Sequence, residues 1–489
     1  MEVARRAAAF LCCASIFSGG AMPARPYAKV VILPGGPSFE KFRQRLSSLA
    51  HPGVDVGLLQ VGVHEAVVRP HLLDHLAARS GSPAFLVLRQ AGADRVEWID
   101  EADVEALHRL RLPEDLQPRP PQDPPPAGGP LWHLRAVRAD AAWAVLGGPD
   151  AIDWGDVRIG QIDTGYTRHV AFGHGPDGDD RGSWVVAADS RTFLTPDARA
   201  AEFGLLPAPE PGGGRDPLHP GALNAGHGTR VGATISGWAH PPGREPFHGV
   251  APRVPHVMVR MTDSVAISTR QDDFARALAY LVHEARVDVV NVSLGIFPAV
   301  PSPAVVQAMA EARAKGVIVV CAAGNWVDPV VAPACLPTAI AVGGVLWNGR
   351  PWSGSAYGPE VAFSAPAAGI LRADTARGWG TGFSPGGDGT SYATGLTTGS
   401  AALWLVRWAP VIEAMYGRTA RRVEAFRAAV QATCRKPQGW QPRPFGAGIL
   451  DTGRLCTDLQ AALPTVEGSF AMPPAPAPGR ARGRLREPA

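Results

Sequence analysis

The period of the hydrophobic pattern changes along the chain, and the changes outline two folded units. Between residues 26 and 112, "YAKVVILPG", "VDVGLLQVGV", "AFLVLRQ" and "RVEWID" read as strands, whereas "SFEKFRQRLSSLA" and "PHLLDHLAARSG" read as helices. This is a small α+β pattern. From Leu131 the texture differs. "VRIGQID", "VPHVMVRM", "VDVVNVSLG", "VIVVCAAGN" and "AIAVGGV" are near-continuous apolar runs, the pattern of strands buried on both faces. Between them, "TRQDDFARALAYLVHEAR" gathers Phe274, Leu278, Leu281 and Val282 on one helical face, and "SPAVVQAMAEARAKG" forms a second helix. Strands alternating with helices predict an α/β fold, a doubly wound and mostly parallel sheet. Reactive groups in such sheets gather at the carboxyl ends of strands. Asp163, Ser293 and Asn325 all stand at or just after a predicted strand end.

Breaks in the pattern divide the chain further. Residues 113–130 are so rich in proline that they must run extended, which makes them a linker between residues 26–112 and residues 131–463. Within the second unit, "LPAPEPGGGRDPLHPGALNAG" (206–226) reads as a long surface loop. Residues 464–489, with Arg480, Arg482, Arg484 and Arg486 among prolines, have the composition of a disordered tail. Residues 1–25 carry Arg5 and Arg6, an apolar run from Ala7 to Phe17 and small residues near Ala21 and Ala24. That order is the pattern of a secretory signal and predicts a secreted or periplasmic protein.

Composition narrows the function classes. At 489 residues and 46% hydrophobic content, the chain has material for a large core. A net charge of only +3 gives no case for nucleic acid. No segment reaches the roughly 18 uninterrupted apolar residues of a membrane span. Beyond Cys12 and Cys13, four cysteines remain, Cys321, Cys335, Cys434 and Cys456. In an oxidising compartment, nearest-neighbour disulfides Cys321–Cys335 and Cys434–Cys456 are expected; buried free thiols are the alternative.

The candidate chemistry starts from "NAGHGTRVGATISG", where His227 sits between glycines at a helix start. A proton-carrying histidine needs a nucleophile and an orienting acid elsewhere. Asp163 in "GQIDTG" ends an apolar strand and can fix an imidazole tautomer. Ser391 in "GGDGTSYATG" opens an apolar helix, where the dipole and free backbone N–H groups favour an oxyanion. Asn325 in "CAAGNW" offers a side-chain amide to that same oxyanion. Singly, each has an ordinary role: Ser391 as a helix cap, Asn325 as a turn residue, His227 as a core or surface histidine. A pair of catalytic aspartates is also conceivable, because Asp451 opens a second Asp-Thr-Gly. Zinc-peptidase chemistry is not supported: the His-Glu pairs at His64 and His283 lack the second histidine of HExxH. Nor does Ser391 stand in the G-x-S-x-G elbow of a lipase.

Taken together, "IDTG", "GHGTRVGATISG", "NVSLG", "AAGN" and "GTSYAT" resemble the signature stretches of the subtilisin-like serine peptidases, the subtilases, over about Leu131 to Leu463. The resemblance implies a subtilisin-like fold and a serine endopeptidase in which Ser391 is the nucleophile, His227 the general base and acid, Asp163 the orienting carboxylate and Asn325 an oxyanion donor. It implies that Ser293, Leu294 and Gly295 bind a polypeptide substrate as an added strand, with Ala322, Ala323 and Gly324 as the facing wall. It also implies that residues 26–112 are a propeptide that inhibits the cleft; a stable accessory domain is the alternative. No cofactor is required for the chemistry. Structural calcium is common in the family, and the spacing of Asp177, Asp179 and Asp180 resembles an oxygen-ligand loop, but the EF-hand pattern with a distal Glu is missing and a solvated turn is the preferred reading. One departure stands out: Gly395 occupies the place of the family's usual proline after "GTSYAT". A narrow-specificity processing enzyme or transpeptidase, and a non-catalytic binding protein, are the competing readings.

Overall fold

A computed structural model describes residues 27–32, 39–49, 58–60, 65–80, 84–93, 95–99, 129–176, 180, 182–194, 213–218, 222, 224–240, 246–297, 299–327, 330–375 and 378–465. The segment read as a signal peptide, residues 113–128 of the linker and the tail beyond residue 465 lie outside the described residues, as do Asp177 and Asp179. The chain divides into two units, Met1–Val104 and Glu105–Ala489.

The first unit contains β1 (Tyr27–Val31), α1 (Phe39–Leu49), β2 (Leu59–Gln60), β3 (Glu65–Val68), α2 (Pro70–Ser80), α3 (Ala84–Ala91) and β4 (Arg95–Ile99). Its sheet is antiparallel in the order β2-β3-β1-β4, with Val30 paired to Ala66 on one side and Val96 on the other. Ala28, Val30, Phe42, Leu46, Leu76 and Leu88 share its core. The sequence pattern predicts a strand at "AFLVLRQ", but the structure forms helix α3 there. Val87, Leu88 and Ala91 are buried while Leu86 is exposed, which is a helical face. An apolar run of this length carries no period that separates strand from helix.

The second unit is built on a six-stranded parallel sheet. Its strands are β5 (Ile159–Asp163), β6 (His256–Arg260), β7 (Val289–Val292), β8 (Ile318–Ala322), β9 (Ile340–Val345) and β10 (Phe363–Pro366). The order is β10-β9-β8-β7-β5-β6, with every pairing parallel. Each strand is buried along its length, which is why the sequence shows unbroken apolar runs instead of alternation. After β6 the chain crosses to the opposite side of β5 and continues outward from β7. The strand order therefore reverses beside β5 and β7, where parallel sheets open a crevice at their carboxyl ends.

Helices α4 (His227–Ser236), α5 (Gln271–His283), α6 (Pro303–Ala314), α7 (Thr390–Arg407) and α8 (Ala420–Thr433) surround this sheet. On α5, Phe274, Leu278 and Leu281 are fully buried, and Leu281 packs so closely on β5 that a side chain at Gly160 would meet it at 2.8 Å. Ser302 caps α6 by accepting from the Val305 N–H, with Pro303 in the first turn. Helix α7 is buried on all sides from Thr390 to Leu405. Its small residues let other backbone press against it; a side chain at Gly399 would collide with Val250.

Two further expectations are corrected. Cys321, Cys335, Cys434 and Cys456 are free thiols, not nearest-neighbour disulfides. Cys321, Cys434 and Cys456 are buried in the hydrophobic interior, where an unoxidised cysteine packs as a small apolar side chain. The segment 206–226 is not all surface loop. Within it, Gly214 and Asp216 are buried, and residue 215 pairs with Tyr166. The glycines that suggest an exposed loop permit close packing instead: a side chain at Gly214 would collide with the Met258 carbonyl.

Candidate active site

Asp163, His227 and Ser391, separated by up to 228 positions in the sequence, meet at the carboxyl end of the sheet. Asp163 is the last residue of β5. Its Oδ1 accepts the Thr164 N–H at 2.7 Å, and its Oδ2 accepts from Gln161 Nε2 at 3.2 Å. These bonds hold the carboxylate in place while it is only 1% exposed. His227 Nδ1 lies 2.7 Å from Asp163 Oδ1. Because the carboxylate accepts, Nδ1 carries the proton, and Nε2 is left to accept from the Ser391 hydroxyl at 3.2 Å.

The glycines around His227 answer for this placement. Gly226 adopts a φ of 75°, and a side chain there would collide with Thr375. A side chain at Gly228 would collide with the Gly165 carbonyl. The backbone must come this close for the imidazole to reach Asp163. Two further bonds fasten the turn: the Gly228 N–H donates to Thr164 Oγ1 at 3.1 Å, and Gln161 Nε2 donates to the Gly228 carbonyl at 3.0 Å. Asp216 fastens the approach from the other side. Its Oδ2 accepts the Gly226 N–H at 2.7 Å and its Oδ1 the Leu218 N–H at 2.8 Å. Burial pushes the Asp216 carboxyl above its ordinary pKa, and the two amide donors oppose that rise.

Ser391 is the second residue of α7, so its Oγ sits at the positive end of a buried helix. Its carbonyl accepts from Ser293 Oγ at 3.3 Å, which ties α7 to the segment after β7. Asn325 follows β8. Its Oδ1 accepts twice from Thr390, from the N–H at 2.9 Å and from Oγ1 at 2.8 Å. With Oδ1 held, Nδ2 turns towards Gly389, where an added side chain would approach it to 3.2 Å. The amide thus presents a donor beside the Ser391 hydroxyl.

A cleft adjoins these groups, with Ser293, Leu294 and Gly295 on one side and Ala322 and Gly324 on the other. Ala323, expected in the second wall, is fully buried behind it, with its N–H bonded to the Val342 carbonyl and its own carbonyl accepting from the Val331 N–H. Asp451, the alternative catalytic aspartate, lies elsewhere: it caps a short helix by accepting from the Arg454 N–H and pairs with Arg138. Asp180, from the candidate calcium loop, pairs with Arg215 and lies 3.4 Å from His174 Nε2. Among the described residues, no three histidine, cysteine, aspartate or glutamate side chains cluster as a metal site would require.

Sequence reasoning missed Gln161, Thr390 and Asp216. Gln161 had a readable signal, a lone polar residue inside an apolar strand. Thr390 is the neighbour of Ser391 and was hidden by it. Asp216 lay in a stretch whose proline and glycine content pointed to solvent.

The model of the subtilase family matches residues 213–448, which include His227, Asn325 and Ser391; Asp163 lies before the match. An intracellular serine protease of Paenibacillus polymyxa is 29% identical over 231 residues, 46% of this chain and 65% of that protein. Alkaline elastase YaB of a Bacillus species is 32% identical over 179 residues, 36% of this chain and 44% of that protein. Subtilisin NAT of Bacillus subtilis subsp. natto is 31% identical over 189 residues, 37% of this chain and 45% of that protein. The chain thus spans less than two thirds of the length of these curated relatives.

Proposed function

We propose that the chain, whose residues 213–448 match the model of the subtilase family, is a serine endopeptidase that cuts polypeptides through Ser391, His227 and Asp163. One observation carries the reading: His227 stands between Asp163 at 2.7 Å and Ser391 at 3.2 Å, with both ring nitrogens committed. Ser391 Oγ attacks the peptide carbonyl while His227 Nε2 takes its proton. Asp163 keeps the imidazole in the required tautomer and stabilises the imidazolium. The negative charge on the carbonyl oxygen is met by Asn325 Nδ2 and the Ser391 N–H. His227 then returns the proton to the leaving amine. Water, activated by the same imidazole, hydrolyses the acyl-enzyme.

The substrate lies extended along Ser293–Gly295, as an added strand. In the same reading, residues 26–112 are a propeptide that occupies the cleft before maturation, and residues 1–25 direct export. No helix among the described residues is long and apolar enough to cross a membrane.

The test is Ser391→Ala together with labelling by a fluorophosphonate, which reacts with activated serines. The unaltered protein is expected to take up label and to hydrolyse peptides, and Ser391→Ala to do neither. Hydrolysis that survives in Ser391→Ala would assign the nucleophile elsewhere.

A further inference from the structure

In the cleft beside Ser391 the side chain of Val331 stands between the two walls, as a floor. Its walls are glycine where they face it. A side chain at Gly295 would come 3.0 Å from Val331 Cγ2, and one at Gly324 would come 2.9 Å from Val331 Cγ1. The two methyl groups therefore bridge from one wall to the other and fill the gap that the glycines open. Val331 is 2% exposed, and backbone bonds deny it another position. Its N–H donates to the Ala323 carbonyl at 2.9 Å, just behind one wall. The next residue, Ala332, exchanges bonds of 2.7 and 3.2 Å with Ile296, just beyond the other. Residues 331 and 332 are thus stapled to both sides, and the backbone that carries the valine cannot draw back without breaking three hydrogen bonds.

Any peptide attacked by Ser391 must place its carbonyl oxygen towards Asn325. The side chain of the residue that supplies this carbonyl then points between Ser293–Gly295 and Ala322–Gly324, into the space that Val331 shortens. We propose that Val331 makes the protein cut after small residues, alanine, glycine or serine, and exclude aromatic and other long side chains. The inference rests on the reading of Ser391 as the nucleophile. The physical cause is steric. The walls are apolar and would welcome a phenyl ring, but packed interiors accept added volume only by straining their side chains and backbone. Here the floor is pinned.

The experiment compares tetrapeptide p-nitroanilides that differ only in the last residue, alanine or phenylalanine. Substrates are presented to the unaltered protein, Val331→Ala and Val331→Gly, each titrated with fluorophosphonate to count active sites. The unaltered protein is expected to favour alanine by at least about tenfold in kcat/KM, the discrimination that one or two misfitting carbons bring. Val331→Gly is expected to raise kcat/KM on phenylalanine by about 10–200-fold per labelled site, and Val331→Ala to fall between. Mass spectrometry of cleaved proteins by the unaltered enzyme gives a readout that needs no variant. A labelled protein that cuts after phenylalanine as readily as after alanine overturns the specificity. So does a labelled Val331→Gly with an unchanged ratio. A protein that neither labels nor cuts any substrate sinks the peptidase reading itself.

Discussion

Gly395 on α7 lies against Thr234 on α4: a side chain at Gly395 would come 2.8 Å from Thr234 Oγ1 and 3.3 Å from Ile235 Cγ1. The two helices in contact here are those whose first turns carry Ser391 and His227. Read from sequence alone, this glycine only weakens its helix, by about 1 kcal/mol against alanine. Read in place, it sets how near the helix of the proposed nucleophile comes to that of the proposed base. Gly395→Ala therefore gains helix propensity and loses fit. Overpacking of this kind costs about 1–3 kcal/mol, so the variant should be less stable in urea and turn over more slowly, because the Ser391–His227 separation grows. A more stable Gly395→Ala with unchanged kcat would remove this account of the glycine.

Thr390 positions Asn325. Its hydroxyl and N–H both hold the amide oxygen, so in the proposed reaction the donor is set in place before substrate arrives. Thr390→Val keeps the shape and the N–H bond and removes the hydroxyl bond. A hydrogen bond of this type contributes about 1 kcal/mol, and one felt mainly in the transition state should lower kcat by about fivefold to tenfold with little change in KM. Thr390→Ser should restore the rate. An increase in KM at constant kcat would mean that Thr390 serves substrate binding instead.

What could be read from the chain and what could not follow from the range of the forces involved. The parallel sheet was legible because strands buried on both faces must be apolar throughout, so β5 to β9 announce themselves in any window. Asp163, Ser293 and Asn325 were legible as strand-end residues for the same reason. The contacts among them were not: the pairing of His227 with Asp163 depends on side-chain-free approach at Gly226 and Gly228, which is visible only when Thr375 and Gly165 are seen to press on them. A short apolar run fits either period, which is why the sequence at helix α3 reads as a strand. Residues 213–218 were misread because the same glycines that loosen a chain in solvent let it pack tightly against Tyr166 and Met258. The sequence leaves disulfides and free thiols both open because a cysteine count reports a compartment, not a distance.

The cysteines lead to a labelling prediction. Burial pushes the Cys434 and Cys456 thiols up to about 12 and the half-buried Cys335 up to about 11; Cys321 is also raised. The thiolate is the reactive form, so iodoacetamide at pH 8 should leave Cys321, Cys434 and Cys456 unmodified in the folded protein and alkylate all three in denaturant. Adding a reductant should leave the thermal midpoint unchanged. Peptide mapping by mass spectrometry reads both states, and a recovered Cys434–Cys456 or Cys321–Cys335 disulfide would restore the pairing expected from spacing.

Two buried histidines make the second unit sensitive to acid. Burial holds His133 and His256 near a pKa of about 3. Neither ring nitrogen of His133 has a hydrogen-bond partner among the described residues, and His256 has only the Ser236 hydroxyl, at 2.9 Å. Unfolded, both titrate near 6.5. Between these values the unfolded chain binds more protons than the folded one, so stability rises with pH across the window. The contribution is complete above about pH 6.5 and is lost as pH falls towards 3. Each histidine adds a slope of up to about 1.4 kcal/mol per pH unit. Urea unfolding from pH 6 down to pH 4 should show a slope that includes up to about two protons from this pair. His133→Phe, aromatic and unable to titrate, should reduce that slope by one proton and leave stability at pH 8 far less affected than stability at pH 4. Equal slopes in the two proteins would mean that His133 reaches solvent or a partner when it is charged.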